Sequence, residues 1–176
     1  HLRTRRQRQM CIRDSIHCEK VYTSGEAALN FFKKNNKNLK FYHIGPPRDF
    51  DLFFSFKENK VENIDDSQFL LCTGLFDEYF DDLNYYKDLL KNKKKLKMIC
   101  TNPDLVVDRG NQKEYCAGTI AKIFEEEGGV VEYFGKPYPL VYKLSADLKN
   151  KKILCIGDNL DTCLLYTSPS PRDKTV

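Results

Sequence analysis

The feature that most constrains the fold of this chain is an alternation of short apolar runs with longer amphipathic segments. Each run spans four or five residues and stops at a Gly, Pro or Asn, which is typical of a buried strand that ends in a turn. The predicted strands cover residues 41–44, 69–73, 98–101, 130–134 and 153–156.

Helical patterns lie between these runs, with Ser24 as the predicted N-cap of the first helix. The predicted helices cover residues 26–34, 80–95, 115–127 and 139–148. Strands separated by helices pair in parallel through right-handed crossovers. The sequence therefore predicts an α/β fold, in which ligands gather at the carboxyl ends of the strands.

Both ends of the chain match translated sequencing-adapter DNA. Residues 5–15 read RRQRQMCIRDS and residues 163–173 read CLLYTSPSPRD, and each back-translates to a transposase adapter sequence. We therefore expect residues 1–15 and 163–176 not to be native and to carry no information about the natural fold.

Excluding the adapter-derived ends changes the charge of the chain. The formal charge of +4 for the whole chain becomes about −1 for residues 16–162. The excess of basic residues, which would favour a nucleic-acid partner, thus comes from the ends. We therefore expect no nucleic-acid partner. No apolar run reaches the length of a membrane span, so we expect no membrane partner either.

Five of the seven cysteines lie between residues 16 and 162, and no two of them form a Cys-x-x-Cys pair. Cys72, Cys100 and Cys155 each fall within an apolar run. This pattern favours buried free thiols over a disulfide framework or a zinc site. It predicts a reducing compartment, and we expect the cytoplasm.

Two residues that follow predicted strands could take part in phosphate chemistry. Asp158 comes directly after Gly157, where a carboxylate could bind Mg²⁺, although an Asx turn is the simpler interpretation. Lys136 stands between Gly135 and Pro137, where it could pair with a phosphate or lie in an ordinary surface turn. One helix and one strand separate Lys136 from Asp158, so we expect them on neighbouring strand ends, as half of a phosphoryl-transfer site.

Other polar residues have both a binding and a structural interpretation. Asn102 and Asp104 bracket a proline, which suits a stiff loop that binds a polar substrate and equally suits a plain turn. We interpret residues 23–26 (TSGE) as a helix start, and a binding loop is the less favoured alternative. His17 and His43 show no metal-ligand spacing, and we predict that both are structural.

Several segments, taken in order, carry a resemblance to a known family. They read YTSGEAAL, FYHIG, CTGLFDE, ICTNPDLVVDRG, YCAGTIAKIFEEEGG, GKPYPLVYKL and KKILCIGDNLDT. The chain resembles the haloacid dehalogenase (HAD) superfamily hydrolases of subclass IIA, the NagD-like phosphatases. The resemblance implies part of a Rossmannoid core with an inserted α/β cap that selects the substrate. Residues 16–24 would lead into the cap, residues 25–130 would form it, and residues 131–162 would return to the core.

The resemblance also implies roles for single residues. Lys136 matches the motif III lysine, which stabilises the nucleophilic aspartate and the transferring phosphoryl group. Asp158 matches the first acidic residue of motif IV, a Mg²⁺ ligand. Asn102 and Asp104 match a cap segment that faces the active site in relatives. The implied cofactor is Mg²⁺, and the implied partner is a small phosphorylated metabolite.

The chain departs from the family pattern in two respects. The family has another Asp directly after Thr162, but adapter-derived Cys163 stands there and Asp161 is one place early. The first motif, an Asp-x-Asp pair that supplies nucleophile and general acid, is expected upstream of this segment, as is the motif II Ser or Thr. The resemblance thus implies a fragment of a phosphatase that hydrolyses a phosphomonoester through an aspartyl-phosphate, and we expect this chain to be inactive.

Three other interpretations remain open from the residues alone. A Rossmann-type nucleotide-binding or transferase fragment would call for a Gly-x-Gly-x-x-Gly or Walker A loop, and the segment has neither. A basic nucleic-acid-binding module would show salt-sensitive binding after the ends are trimmed. A non-catalytic interaction module is the third. The sequence does not distinguish a sugar phosphate, phosphoglycolate, a nucleotide or pyridoxal phosphate as substrate.

Overall fold

The computed structural model describes residues 22–36, 38–110 and 112–145. The helices are α1 (Ser24–Asn35), α2 (Leu83–Leu90), α3 (Ala117–Glu126) and α4 (Pro139–Ser145). The strands are β1 (Phe41–Ile44), β2 (Lys60–Val61), β3 (Phe69–Cys72), β4 (Lys97–Cys100), β5 (Val106–Arg109), β6 (Gln112–Tyr115) and β7 (Val130–Tyr133). The predicted strand at 153–156, Asp158 and His17 lie outside the described residues.

Five strands form one parallel sheet in the order β2-β1-β3-β4-β7. The last residues of four of them, Ile44, Cys72, Cys100 and Tyr133, lie in register across the sheet. The chain segments that leave these strands therefore start from one edge. The α/β class and the four predicted strands in the described part of the chain are confirmed.

Apolar side chains bury both faces of the sheet, as a parallel sheet requires. On one face, α2 and α3 pack against alternate strand residues such as Leu70, Met98 and Cys100. On the other face, α1 and α4 pack against Phe41, Leu71 and their neighbours. The alternation follows from the two-residue period of a strand.

Helix α1 begins through a capping box. The Thr23 hydroxyl accepts a hydrogen bond from the Glu26 backbone N–H at 3.1 Å, and the Glu26 carboxylate accepts one from the Thr23 N–H at 3.1 Å. The predicted N-cap, Ser24, is wrong by one residue, because it is Thr23 that lies three residues before a glutamate. Helix α2 starts later than predicted, because the Asp82 carboxylate caps Asn84 and Tyr85.

Three other features of the fold were not predicted. Residues 47–59 form a 3₁₀ segment with a kink at Phe56. Strand β2 adds two residues to the sheet edge. Strands β5 and β6 form a separate antiparallel hairpin, so α3 begins at Ala117 rather than at the predicted residue 115, which pairs within the hairpin.

The main sheet continues through β7. The predicted boundary between residues 130 and 131 falls at the start of this strand, which pairs with β4 along its full length. Residues 130–133 thus belong to the same sheet as residues 41–100. Within the described part of the chain, no helix is long and apolar enough to cross a membrane.

Candidate functional site

A cleft with a volume of about 270 Å³ opens at the carboxyl edge of the sheet. It lies where the chain leaves β4 and β7, beside the first turn of α1. The lining residues are Tyr22, Thr23, Ser24, Asn102, Pro103, Asp104, Gly135, Lys136 and Val141. Because β4 and β7 are parallel neighbours, the structure brings Asn102, Asp104 and Lys136 into one cleft.

The loop from Asn102 to Asp104 is held by its own hydrogen bonds. The Asn102 side-chain oxygen accepts the Asp104 backbone N–H at 3.1 Å, which closes an Asx turn. The Cys100 thiol donates to the Asn102 carbonyl at 3.2 Å. Burial raises the pKa of Cys100 to about 12, so the thiol keeps its proton at neutral pH. The amide nitrogen of Asn102 remains as the donor end of its side chain.

Two glycines allow close packing around Pro103. A Cβ on Gly118 would lie 2.2 Å from the Pro103 carbonyl oxygen, and the Gly118 N–H donates to the Asp104 carbonyl at 3.1 Å. A Cβ on Gly135, whose φ is +141°, would lie 2.5 Å from the Pro103 ring and 3.5 Å from the Ser24 Cβ. Gly135 therefore sets the separation between Lys136 and the Asn102–Asp104 loop.

The segment TSGE (residues 23–26) starts a helix, as predicted, and part of it also lines the cleft. The Thr23 hydroxyl caps α1, and Thr23 and Ser24 also line the cleft. Tyr22 and Val141, which sequence reasoning missed, contribute the aromatic and aliphatic parts of the wall. The helix-start pattern around residue 23 was the one sequence feature that indicated this region. No local pattern predicts that Tyr22 and Val141 line the cleft, since they do so through tertiary packing.

The described residues do not by themselves form a magnesium site. They include no group of three or more His, Cys, Asp or Glu side chains suited to a metal. Among the described residues that line the cleft, Asp104 carries the one carboxylate and Lys136 is cationic, whereas Mg²⁺ prefers several oxygen ligands. Asp158, the expected ligand, lies outside the described residues.

The chain contains one Asp-x-Asp triplet, Asp49-Phe50-Asp51. It lies in the 3₁₀ segment after β1 rather than directly at a strand end. Strand β1 is three strand spacings from β7, or about 14 Å at the usual 4.8 Å per strand. This triplet is thus laterally distant from the loop that carries Lys136.

His43 has the structural role that its sequence context predicts. It is 5% exposed, and its Nε2 lies 2.8 Å from the Thr73 hydroxyl oxygen. Its ring also packs against Phe50. Burial, with a smaller contribution from Lys60, lowers its pKa to about 4, so the ring is neutral at neutral pH.

A scan against protein-family models finds no match for this sequence, and a search of curated proteins also finds none. Solved structures do match. A haloacid dehalogenase-like hydrolase from Brucella suis 1330 aligns with a TM-score of 0.68 and 27% identity, over 88% of this chain and 67% of that one. The chain is therefore similar in fold and in sequence to a haloacid dehalogenase-like hydrolase.

Two further neighbours share this fold. A mutant of the thermostable p-nitrophenylphosphatase from Bacillus stearothermophilus aligns at TM-score 0.58 and 24% identity, over 82% of this chain and 56% of that one. A putative nagD protein aligns at TM-score 0.52 and 23% identity, over 69% and 47%. At these identities the two show the fold alone, and this HAD-like chain spans about half the length of each.

Replacing Gly118 with Ala tests the packing of the cleft loop. Helix propensity alone favours Ala by about 0.5–1 kcal/mol. The clash with the Pro103 carbonyl opposes this, so we expect Gly118→Ala to be net destabilising, by about 1–3 kcal/mol. Urea unfolding measures the difference. Gly74→Ala is the control, since its Cβ would meet only side-chain atoms at 3.3 Å and beyond, and equal effects at both sites would contradict the expectation.

The buried neutral His43 should make stability depend on pH. Its pKa is lower in the folded chain than the ordinary 6.5, so protons bind the unfolded chain preferentially. Stability is full above pH 6.5 and falls as the pH decreases, by about 3 kcal/mol once the pH is below 4. The measurement is urea unfolding from neutral to acid pH, compared with His43→Gln. Parallel pH profiles for the two proteins would rule out this contribution.

Proposed function

We propose that this chain is part of a Mg²⁺-dependent HAD-family phosphatase that hydrolyses a small phosphomonoester through an aspartyl-phosphate. The observation that carries the proposal is the cleft that joins Lys136 to Asn102 and Asp104, in a chain whose structural neighbours are HAD-like hydrolases. A cleft that is lined by a lysine and by polar side chains at the carboxyl edge of a parallel sheet suits a phosphorylated ligand.

Lys136 would bind the phosphoryl oxygens. Its loop begins at Gly135, which packs against Pro103 and Ser24, so the ammonium group is attached to a well-supported backbone. A lysine at this position offsets the negative charge of the phosphoryl group as it transfers. Asn102 and Asp104, on the opposite loop, would contact the rest of the substrate.

Magnesium dependence rests on Asp158 and on the family resemblance. A magnesium ion bound there would neutralise charge on the transferring phosphoryl group. The described residues contribute only Lys136 and the polar side chains of the cleft to this chemistry.

The domain organisation is also a proposal. Residues 25–130 would form most of the cap, and the chain would then return to the core. Because β7 belongs to the same sheet as β1, β3 and β4, we place the return after Phe134 rather than at residue 131. Lys136 would then stand at the junction between cap and core, where a closing cap meets its substrate.

We also propose a cytoplasmic location. Among the described residues, Cys72 and Cys100 are buried free thiols. Free thiols in these positions suit a reducing compartment.

Inorganic phosphate tests the role of Lys136 directly. We expect phosphate to shift the amide NMR signals of Ser24, Gly135 and Lys136, and Lys136→Ala to weaken its binding about tenfold or more, as the loss of a charge-assisted hydrogen bond does. Lys122→Ala, at an exposed position on α3, is the matched control. Equal affinity in Lys136→Ala and the wild type would exclude Lys136 as the phosphate ligand.

Turnover of p-nitrophenyl phosphate tests the expected inactivity of this chain. With Mg²⁺ present we expect none, since the Asp-x-Asp triplet of the sequence lies in a 3₁₀ segment away from the cleft. Release of p-nitrophenol is followed by absorbance. Activity abolished by Asp158→Ala would refute the expectation, and activity abolished by Asp49→Asn would identify that triplet as the reacting group.

A further inference from the structure

A pair of stacked tyrosine rings lies beside the turn that carries Lys136. The Tyr138 ring lies on the Tyr133 ring, with their centroids 4.5 Å apart and their planes 14° from parallel. From this contact we infer that Tyr138 is a positioning residue: it holds the turn around Lys136 in the conformation that binds phosphate. The inference rests on the proposed function, because it assumes that Lys136 binds the phosphate.

The turn itself is short and begins at Gly135. The Tyr138 backbone N–H donates to the Gly135 carbonyl at 2.9 Å, so Lys136 and Pro137 are the two central residues of a β-turn. A single backbone hydrogen bond adds little net stability in water. The contacts of the two end residues therefore decide how firmly the turn is held.

The Gly135 end of the turn packs against the wall of the cleft. Gly135 is buried, and a Cβ placed on it would lie 2.5 Å from the Pro103 ring and 3.5 Å from the Ser24 Cβ. This end of the turn is thus fixed by its surroundings, without a side chain of its own.

The other end of the turn is held through the Tyr138 ring. Tyr133, the last residue of β7, packs against the apolar cluster that includes residues of α2 and α3. Its hydroxyl donates a hydrogen bond to the Glu125 carboxylate on α3. Burial raises the pKa of Tyr133, and this hydrogen bond raises it further, so the hydroxyl remains a donor at neutral pH. Tyr133 is thereby a fixed support for Tyr138, which is 37% exposed.

A rigid turn affects phosphate binding because the Lys136 side chain is long and exposed. A turn that opens part of the time presents the ammonium group to the phosphate only in those molecules in which it is closed. The apparent affinity falls in proportion to that fraction. Stacked aromatic rings attract each other beyond the area that they bury, so loss of the Tyr138 ring shifts the turn toward open conformations.

Substitution of Tyr138 tests the inference through the affinity for phosphate. Inorganic phosphate is titrated into the 176-residue chain, and the amide NMR signals of Ser24 and Gly135 report binding. We expect Tyr138→Ala to weaken phosphate binding about fivefold, which corresponds to the typical contribution of a stacked aromatic pair. Tyr138→Phe keeps the ring, and its affinity should stay within about twofold of the wild-type value.

Tyr79→Ala is the matched control. Tyr79 is 38% exposed, and its ring stacks on Tyr85 with the centroids 3.7 Å apart. The variant therefore removes the same kind of contact, at a turn that precedes α2. We expect it to keep the wild-type affinity for phosphate even where it lowers the unfolding temperature. Thermal unfolding measures the loss of stability in both alanine variants.

A double variant shows whether Tyr138 acts through Lys136. If the ring only places that lysine, the chain with both Lys136→Ala and Tyr138→Ala should bind phosphate no more weakly than Lys136→Ala alone, because residues that act as a unit are not additive. Additive losses would show that Tyr138 contacts phosphate independently, and they would overturn the inference.

The wild-type chain provides a test that needs no variant. Nitrogen-15 relaxation measures the order parameter of the Lys136 amide, which we expect to be about 0.85, the value for rigid backbone. A value below about 0.6 would show that the turn is mobile, and the inference would be overturned.

The remaining outcomes separate the two proposals. If phosphate shifts the cleft signals of the wild-type chain and Tyr138→Ala binds it equally well, the inference is overturned while phosphate binding at Lys136 stands. Equal weakening in Tyr138→Ala and Tyr138→Phe would also overturn it, because the hydroxyl would then be the group that contacts phosphate. If phosphate shifts no cleft signal even in the wild-type chain, the proposed function fails and the inference fails with it.

Discussion

Burial of both faces of a parallel sheet is the constraint on which the rest of this structure depends. Residues of β1, β3 and β4 point alternately into two apolar clusters. Both faces of the sheet must therefore be covered and shielded from solvent. The register aligns the ends of β1, β3, β4 and β7 in one row. Because the strands are parallel, every connection leaving them starts from the same edge, and the cleft forms there.

Close backbone packing then converts that edge into a cleft of fixed shape. Pro103 lies against Gly118 on one side and Gly135 on the other. Both contacts require the absence of a side chain, and Gly135 also requires a positive φ that other residues rarely adopt. The loop that carries Asn102 and Asp104 and the loop that carries Lys136 are thereby held against each other. The HAD-like neighbours share the fold that makes this arrangement possible.

Sequence patterns predicted the buried strands well. They predicted the hairpin and the start of the first helix less well. The apolar runs identified four strands to within one residue at each end. The hairpin of β5 and β6 was missed, because its strands are not apolar runs like those of the main sheet and pair with each other. The capping residue of α1 was misplaced by one position, since Ser and Thr are both favoured caps and the capping box with Glu26 selects Thr23.

The sequence by itself determined the α/β class and the four strands, because strand periodicity and helices between strands dictate parallel pairing. The proximity of Lys136 to Asn102 and Asp104 emerged only from the structure, since the sequence paired Lys136 with Asp158. Tertiary structure alone decided the shape of the cleft. Tyr22, Ser24 and Val141 join its wall through packing of α1 and α4 against the sheet, and no local pattern encodes that packing. It also decided that the Asn102 oxygen is used within the loop. A side chain's hydrogen-bond partners depend on its three-dimensional surroundings as well as on residue type, so only the structure shows which polar atoms are already used within the loop.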